Sequence, residues 1–419
     1  MKQFLRNFVC EQLERRVEKL RNEHDFTVVA IAGSVGKTST KMAVARMLES
    51  ADKKVIYQEG NYNDRVSVPL VFFGETMPSL TNVLAWFGVF RRMTKQINRP
   101  YDYGVVVVEL GTDGPGQMKD FAYIQPDITV LSAISPEHMA QFGTIDEVAK
   151  EELVVAEYSK KLLVNVADID QKYLETIDFT GYGVDAASAY SITRIGDNGI
   201  VGQKVKITTP NGEIEVETEY GGKQGATIIL AAVTVADILG VPLSDVASAV
   251  AKLQPFSGRM RMLKGVKNSQ IIDDTYNSSP LAARAALDVL YGATATQKIA
   301  ILGDMNELGE TSAREHEELG AYCRADELDC VVTIGEKSRE YLAPMAEKAG
   351  CKVKSFMNPT EAGEFVKGIV KPDAIILAKG SQNGVFAEEA VKLLLEDSSD
   401  ASKLVRQSKG WMEKKRFEK

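Results

Sequence analysis

The run from Phe26 to Ala32 is apolar and β-branched; it ends on Gly33-Ser34-Val35-Gly36-Lys37-Thr38 and leads into a helical stretch at about 37–50. No other feature constrains the chain as much. A buried strand that turns on glycines into a helix belongs to a parallel sheet covered on both faces. The same loop has the make-up of a phosphate cradle. Glycines let backbone amides face an anion, and the helix N-terminus adds positive potential. Lys37 is placed for the β- and γ-phosphates of a nucleotide, and the Thr38 hydroxyl, followed by Ser39, for Mg²⁺. The usual longer loop places another glycine where this chain has Ile31, so the generic pattern is met only in part.

Short apolar runs at Val105–Val108, Ile128–Leu131 and Leu162–Val164 predict further buried strands. Residues 1–24 carry Phe4, Leu5, Phe8, Val9, Leu13, Val17 and Leu20 at helical spacing. From about 180 to 222 the composition turns to Thr, Val, Ile and Gly with Asn198-Gly199 and Asn211-Gly212, which predicts hairpins in a small β-subdomain. Helical patterns follow at 226–239 and 243–253. A second α/β unit begins near residue 260, with strands expected around 271–272, 299–302, 331–334 and 374–377. The fold class expected is therefore α/β: a phosphate-loop parallel-sheet domain with a small β-subdomain, then a Rossmann-like α/β domain. The expected boundaries are an N-terminal helix over 1–25, a central domain over 26–257, a C-terminal domain over 258–397 and a frayed basic tail over 398–419.

A net charge of -8 argues against nucleic acid as partner, since backbone phosphates need a basic face. Cys10, Cys323, Cys330 and Cys351 show no metal-binding spacing and read as free thiols. No leader segment is visible, and the cytoplasm is the expected compartment.

Three further segments carry chemistry. Glu109 ends a valine run, where an acid at the carboxyl end of a central strand can reach a metal beside the phosphate loop or simply meet solvent. His138, one of three histidines, is open to two readings, a hydrogen-bonded structural residue or a metal or catalytic ligand. Asp273-Asp274-Thr275-Tyr276-Asn277, before Pro280, suits ribose hydroxyls and equally an ordinary capped turn.

Together these segments resemble the Mur ligases, most closely the members that add D-alanyl-D-alanine to a UDP-N-acetylmuramoyl tripeptide. The family's shortened loop fits Gly33–Thr38 despite Ile31. Gly60-Asn61-Tyr62-Asn63 with Val68-Pro69-Leu70, Glu109-Leu110-Gly111, His138 with Phe142-Gly143, Gly258-Arg259, the Asp273–Asn277 segment, Gly303-Asp304-Met305 with Glu307, and Lys379-Gly380-Ser381 follow in the family's order.

The resemblance implies a ligase that uses ATP and Mg²⁺ to join a carboxylate acceptor to an amine through an acyl phosphate. It implies Lys37, Glu109 and His138 as catalytic residues and Thr38, Glu109 and His138 as metal ligands. It implies that Arg259, Asp274, Tyr276 and Asn277 bind nucleotide from the last domain, whose closure completes the site. It also implies Asn61, Asn63, Asp304, Glu307, Lys379 and Ser381 as substrate contacts.

Four departures qualify this picture. Only 25 residues precede Phe26, so the family's UDP-sugar domain is expected to be missing and a partner protein becomes a candidate for acceptor recognition. Where many members have a carbamylated lysine, fourteen residues after the histidine, this chain has Glu152, either a substitute metal-site carboxylate or a solvated helix acid. Gln224-Gly225 replaces a His-Asn pair, and Gln382 an arginine. A different acceptor, such as a poly-amino acid or lipid-linked substrate, and a degenerate nucleotide-binding subunit are the alternatives. The apolar stretch Leu80–Met93, with Arg91 and Arg92, is expected to be a core or dimer-contact helix, with a membrane-surface helix as the less favoured reading.

Overall fold

The structure, a computed structural model, describes residues 2–58, 60, 62–136, 138–198 and 202–417. Its contacts divide the chain into two compact units: Met1–Arg194, Val205–Val216 and Ala226–Leu253; and Ile195–Lys204, Glu217–Gly225 and Gln254–Lys419.

The first sheet is built from β1 (Thr27–Ala32), β2 (Val55–Ile56), β3 (Val105–Glu109), β4 (Ile128–Leu131), β5 (Leu162–Asn165), β6 (Thr180–Val184), β7 (Tyr190–Asn198), β8 (Gly202–Thr209) and β9 (Gly212–Thr218). Their order is β2-β3-β1-β4-β5-β6-β7-β8-β9. β1 lies parallel between β3 and β4, with Ile31 opposite Glu109 and Val130. After Thr27 its residues are apolar without alternation because both faces are covered. The strands expected in the Thr/Val/Ile-rich stretch are present, and they extend this same sheet. β6 pairs parallel with β5, β7 with β6, and β8 and β9 follow. β8 buries alternate residues, the period of a strand with one covered face. Of the expected Asn198-Gly199 turn, Asn198 ends β7 and Gly199 lies outside the described residues.

The helix Lys2–Glu23 buries Val9, Cys10, Leu13, Val17 and Leu20, a stripe at helical spacing. The helix Val83–Ile97 packs Trp86, Val89, Met93 and Ile97 into the same core, starting from an Asn82 side chain that accepts the Ala85 N–H. The core reading of that stretch describes this face only, for Val83, Leu84 and Phe87 stay exposed.

The second sheet is built from β10 (Arg261–Gly265), β11 (Ser269–Asp274), β12 (Lys298–Gly303), β13 (Cys330–Ile334), β14 (Val353–Phe356) and β15 (Ile375–Lys379). The order is β10-β11-β15-β12-β13-β14, parallel except for β10 against β11. The register brings Asp274, at the end of β11, opposite Lys379, at the end of β15.

The C-terminal segment expected to fray is folded. Leu404 and Val405 are buried, a helix runs over Lys409–Phe417, and Arg406 and Lys415 both pair with the fully buried Glu388. A run rich in lysines reads as solvated in sequence; here two of its cations have a buried carboxylate as partner. All four cysteines are free and buried.

Candidate active site

The phosphate loop is fixed from behind. Gly33 has φ 112°, and a Cβ there would lie 2.6 Å from Ser132 Oγ, so only glycine fits. Ser34 N donates to Ala133 O at 2.8 Å, Ser135 N to Ser34 Oγ at 3.1 Å, and Ser132 Oγ to Val35 O at 2.7 Å. Gly36, with φ 84°, begins the helix Lys37–Ser50, which buries Thr38 and Ser39 at its first turn. Lys37 is half-buried, its Nζ 3.4 Å from Ser34 O.

Glu109 is the meeting point of several elements. Thr38 Oγ1 lies 3.2 Å from its Oε1, and Asn63 Nδ2 3.3 Å from the same oxygen. Asn63 reaches in because Gly111 has no side chain; a Cβ there would sit 2.7 Å from Asn63 Nδ2. The other oxygen, Oε2, faces Lys41 Nζ at 3.2 Å, and Lys41 also donates to Gly60 O at 2.9 Å. Both charged side chains are 2% exposed, so each neutralises the other away from water. The sequence reading missed Lys41. The signal was there: it lies three residues after Thr38 and four after Lys37, on their helix face, just before an apolar run. Asn61, expected beside Asn63, lies outside the described residues.

The three histidines separate by environment. His24 Nε2 meets Ile97 O, and His316 is wholly buried between Met305 N and Ser312 O, where burial pushes its pKa down. Both are structural. His138 sits at φ 49° where a short helix begins, with Nε2 3.6 Å from Asp113 Oδ1.

The acids after it are not a solvated cluster. Glu147 and Lys150 face solvent, but Glu151 and Glu152 are buried. Glu151 accepts from Gly116 N and Met118 N at 2.6 Å each, and Glu152 Oε2 accepts from Gly33 N at 2.8 Å. A carboxylate therefore stands directly behind the first glycine of the phosphate loop. Among the described residues no group of three or more His, Cys, Asp or Glu side chains converges on one point. Thr38 and Glu109 are brought together; His138 and Glu152 do not join them in such a cluster.

In the second unit the Asp273–Asn277 segment is a hub. Asp273, wholly buried, accepts from Gly258 N, Thr275 N and Thr275 Oγ1. Burial pushes its carboxyl up to about 6, against the pull of the Thr275 hydrogen bonds. Asp274 accepts from Met260 N and pairs with Lys379 Nζ at 2.5 Å; Lys379 also donates to Asn277 O. Arg259 stacks over the Tyr276 ring at 4.2 Å.

Asp274, Lys379, Tyr276, Asn277 and Arg259 thus form one assembly. Ser381 joins its edge, donating to Ser278 O and accepting from Asn306 N. Asp304 meets it only through its backbone, its carbonyl accepting from Ser381 N at 3.2 Å, while its carboxylate receives Lys337 N and Ser338 N at the start of the helical turns after β13. Glu307 is exposed on a turn with φ 66°. The sequence reading also missed Arg406, which donates to Thr275 O and Tyr276 O while gripping Glu388 with two nitrogens. Gly225, which stands in place of the second residue of the His-Asn pair, is forced by packing, since a Cβ there would lie 2.6 Å from the Tyr220 carbonyl carbon.

A phosphate loop whose threonine meets a strand-end carboxylate, in a parallel α/β sheet, defines a nucleoside-triphosphate-using α/β enzyme. Residues 31–236 match the Mur ligase middle domain, and residues 258–382 the Mur ligase glutamate ligase domain. The chain belongs to the Mur ligase family and is an ATP-dependent peptide ligase of that family. It is 28% identical over 381 residues to the UDP-N-acetylmuramoyl-tripeptide–D-alanyl-D-alanine ligase of Haemophilus influenzae, covering 87% of this chain and 76% of that one. In fold it is similar to MurF from Acinetobacter baumannii (TM-score 0.74, 22% identity, 92% of this chain and 80% of that one). It is likewise similar to Thermotoga maritima MurF in complex with ADP (TM-score 0.72, 21% identity, 92% and 83%).

Proposed function

We propose that the chain adds an amino acid or dipeptide, D-alanyl-D-alanine first among candidates, to the free carboxylate of a peptidoglycan-precursor peptide. The observation that carries this is the convergence of Thr38 and Asn63 on Glu109 directly beside the phosphate loop. The names of the curated relatives supply the substrate class.

A hydroxyl and a carboxylate 3.2 Å apart are hard oxygen donors that suit Mg²⁺, which completes its shell with water and phosphate. Thr38 and Glu109 would hold that ion, with His138 and Glu152 as candidates for a second. When bound, the ion neutralises the charge gathering on the nucleotide's terminal phosphates.

The chain's own groups do the rest. The Gly33–Thr38 amides and Lys37 hold the β- and γ-phosphates in line with the acceptor carboxylate. A carboxylate oxygen attacks the γ-phosphorus, the bond to the bridging oxygen breaks, and ADP leaves with an acyl phosphate in place. The amine then adds to the acyl carbon, loses a proton, and phosphate departs as the amide forms. Lys37 stabilises the negative charge of the transferring group. Arg259, Asp274, Tyr276 and Asn277 are the second unit's candidates for nucleotide contact, and Asn61, Asn63, Asp304, Glu307, Lys379 and Ser381 remain the candidates for substrate. The cytoplasm is the compartment this chemistry suits.

Phosphate release should require ATP, Mg²⁺, a UDP-N-acetylmuramoyl tripeptide and D-alanyl-D-alanine together. It should fall at least about a hundredfold in Lys37→Ala, the scale of one lost transition-state contact. Release that instead needs a different acceptor or amine would keep the ligase chemistry and replace the substrates. Gln382 favours testing other amines, because it lacks the bidentate grip of arginine on a carboxylate.

A further inference from the structure

The helix Val83–Ile97 has two apolar faces, and only one of them is used. Trp86, Val89, Met93 and Ile97 enter the core. On the opposite side Leu84 is 85% exposed and Phe87 69%, flanked by Val83 at 64% and Met77 at 49%. At 100° per residue, Leu84, Phe87, Arg91 and Lys95 fall on one stripe, about 16 Å long. The stripe is apolar in its first half and cationic in its second, and all four side chains are exposed.

The charge along this stretch of chain is equally one-sided. The chain carries 58 acidic residues and a net charge of -8, yet residues 76–101 contain no acid at all. They do contain Arg91, Arg92, Lys95 and Arg99. Arg92 is matched by Glu75, which grips it through both carboxylate oxygens at 2.7 and 2.6 Å. Arg91, Lys95 and Arg99 have no such acid in their own stretch of chain.

We propose that this face docks on an anionic phospholipid surface. Leu84 and Phe87 enter the headgroup–acyl boundary while Arg91 and Lys95 lie among the lipid phosphates. Exposed leucine and phenylalanine on a stripe continued by cations are the pattern of a helix lying in a membrane interface. With no acid in the stretch that carries the face, Arg91 and Lys95 meet the lipid phosphates without a negative charge beside them on their own helix. A protein partner would be served by the apolar half alone; the acid-free basic half is what selects anionic lipid. No helix among the described residues is long and apolar enough to cross a membrane, so the contact is peripheral.

The test is co-sedimentation of the full chain with vesicles of phosphatidylcholine alone and of phosphatidylcholine with phosphatidylglycerol. Binding is expected to the mixed vesicles only, and to weaken as salt is raised. The double variant Leu84→Ser/Phe87→Ser should lower the partition constant by about tenfold or more for each side chain. Arg91→Glu/Lys95→Glu should abolish the preference for anionic vesicles. All four positions are exposed, and an unchanged melting curve confirms that each variant folds. A wild-type chain that stays in the supernatant, binds both vesicles equally, or binds undiminished in the Leu84/Phe87 variant overturns the proposal. So does self-association, seen by sedimentation velocity without lipid, that the Leu84/Phe87 variant dissolves; the face is then an interface between copies.

Discussion

Lys41 Nζ lies 3.2 Å from Glu109 Oε2, both side chains withdrawn from water, at the end of β3 where Thr38 holds the other oxygen. The lysine holds the carboxylate in position, and so fixes the place where the threonine hydroxyl and Glu109 meet.

Lys41→Met should therefore be harsher than its conservative shape suggests. Removing one member of a buried pair strands the other, at a typical cost of about 3–5 kcal/mol. We expect the denaturation midpoint of the first unit to fall markedly, with Trp86 fluorescence as the probe after Trp411→Phe. Adding Glu109→Gln should recover much of the loss, because no charge is then left unpaired. A double variant as unstable as Lys41→Met alone would mean that the lysine acts by packing.

Glu152 offers a separation of roles. Its Oε2 receives the Gly33 amide at 2.8 Å, a bond that a glutamine carbonyl can also make. Glu152→Gln should keep ADP affinity within about threefold, whereas Glu152→Ala should lose about tenfold, the scale of one charge-assisted hydrogen bond. If the carboxylate also serves a metal, Glu152→Gln alone should raise the Mg²⁺ concentration needed for half-maximal phosphate release. Isothermal titration with ADP and a Mg²⁺ series read the two effects separately.

Much of this was legible in sequence and some was not, for a consistent reason. The loop from Gly33 to Thr38, the runs that became β1, β3, β4 and β5, and the alternating second unit were readable because local pattern dictates them. Glu109 and Glu152 were found by their place relative to the loop and the histidine. Lys41 and Arg406 were not, since each acts on a partner distant in sequence, 68 residues away for Glu109 and 130 for the Tyr276 carbonyl. Asp304 was read as a substrate contact; its carboxylate also caps the turns after β13, a use that composition around residue 304 does not reveal.

Asp273 should give the second unit a pH signature. Burial raises its carboxyl from 3.8 to about 6. A group whose folded pKa exceeds its unfolded one stabilises fully below the unfolded value and loses that contribution as pH rises through the folded value. Between pH 4 and pH 6–7 Asp273 alone should thus cost the unit up to about 3 kcal/mol. Asp273→Asn should flatten that slope. Urea unfolding at several pH values, read from Trp411 in a Trp86→Phe background, measures it; a variant with the wild-type slope would remove Asp273 from consideration.

Arg406 ties the C-terminal segment to the Asp274–Asn277 turn. Its guanidinium grips Glu388 at 2.8 and 2.6 Å and donates to Tyr276 O at 2.9 Å and Thr275 O at 2.6 Å. Glu388 is fully buried, and its second cation is Lys415 at 2.8 Å. Truncation after residue 397 removes both cations and leaves a buried carboxylate with no counter-charge, so it should destabilise the second unit by at least about 3 kcal/mol. Arg406→Lys is more informative. It preserves a cation near Glu388 but cannot span the carboxylate and two carbonyls at once, because the planar fork is lost. We expect a modest loss of stability and a rise of about three- to tenfold in the KM for ATP, with kcat little changed. A purely structural tail would lower stability and leave that KM where it was.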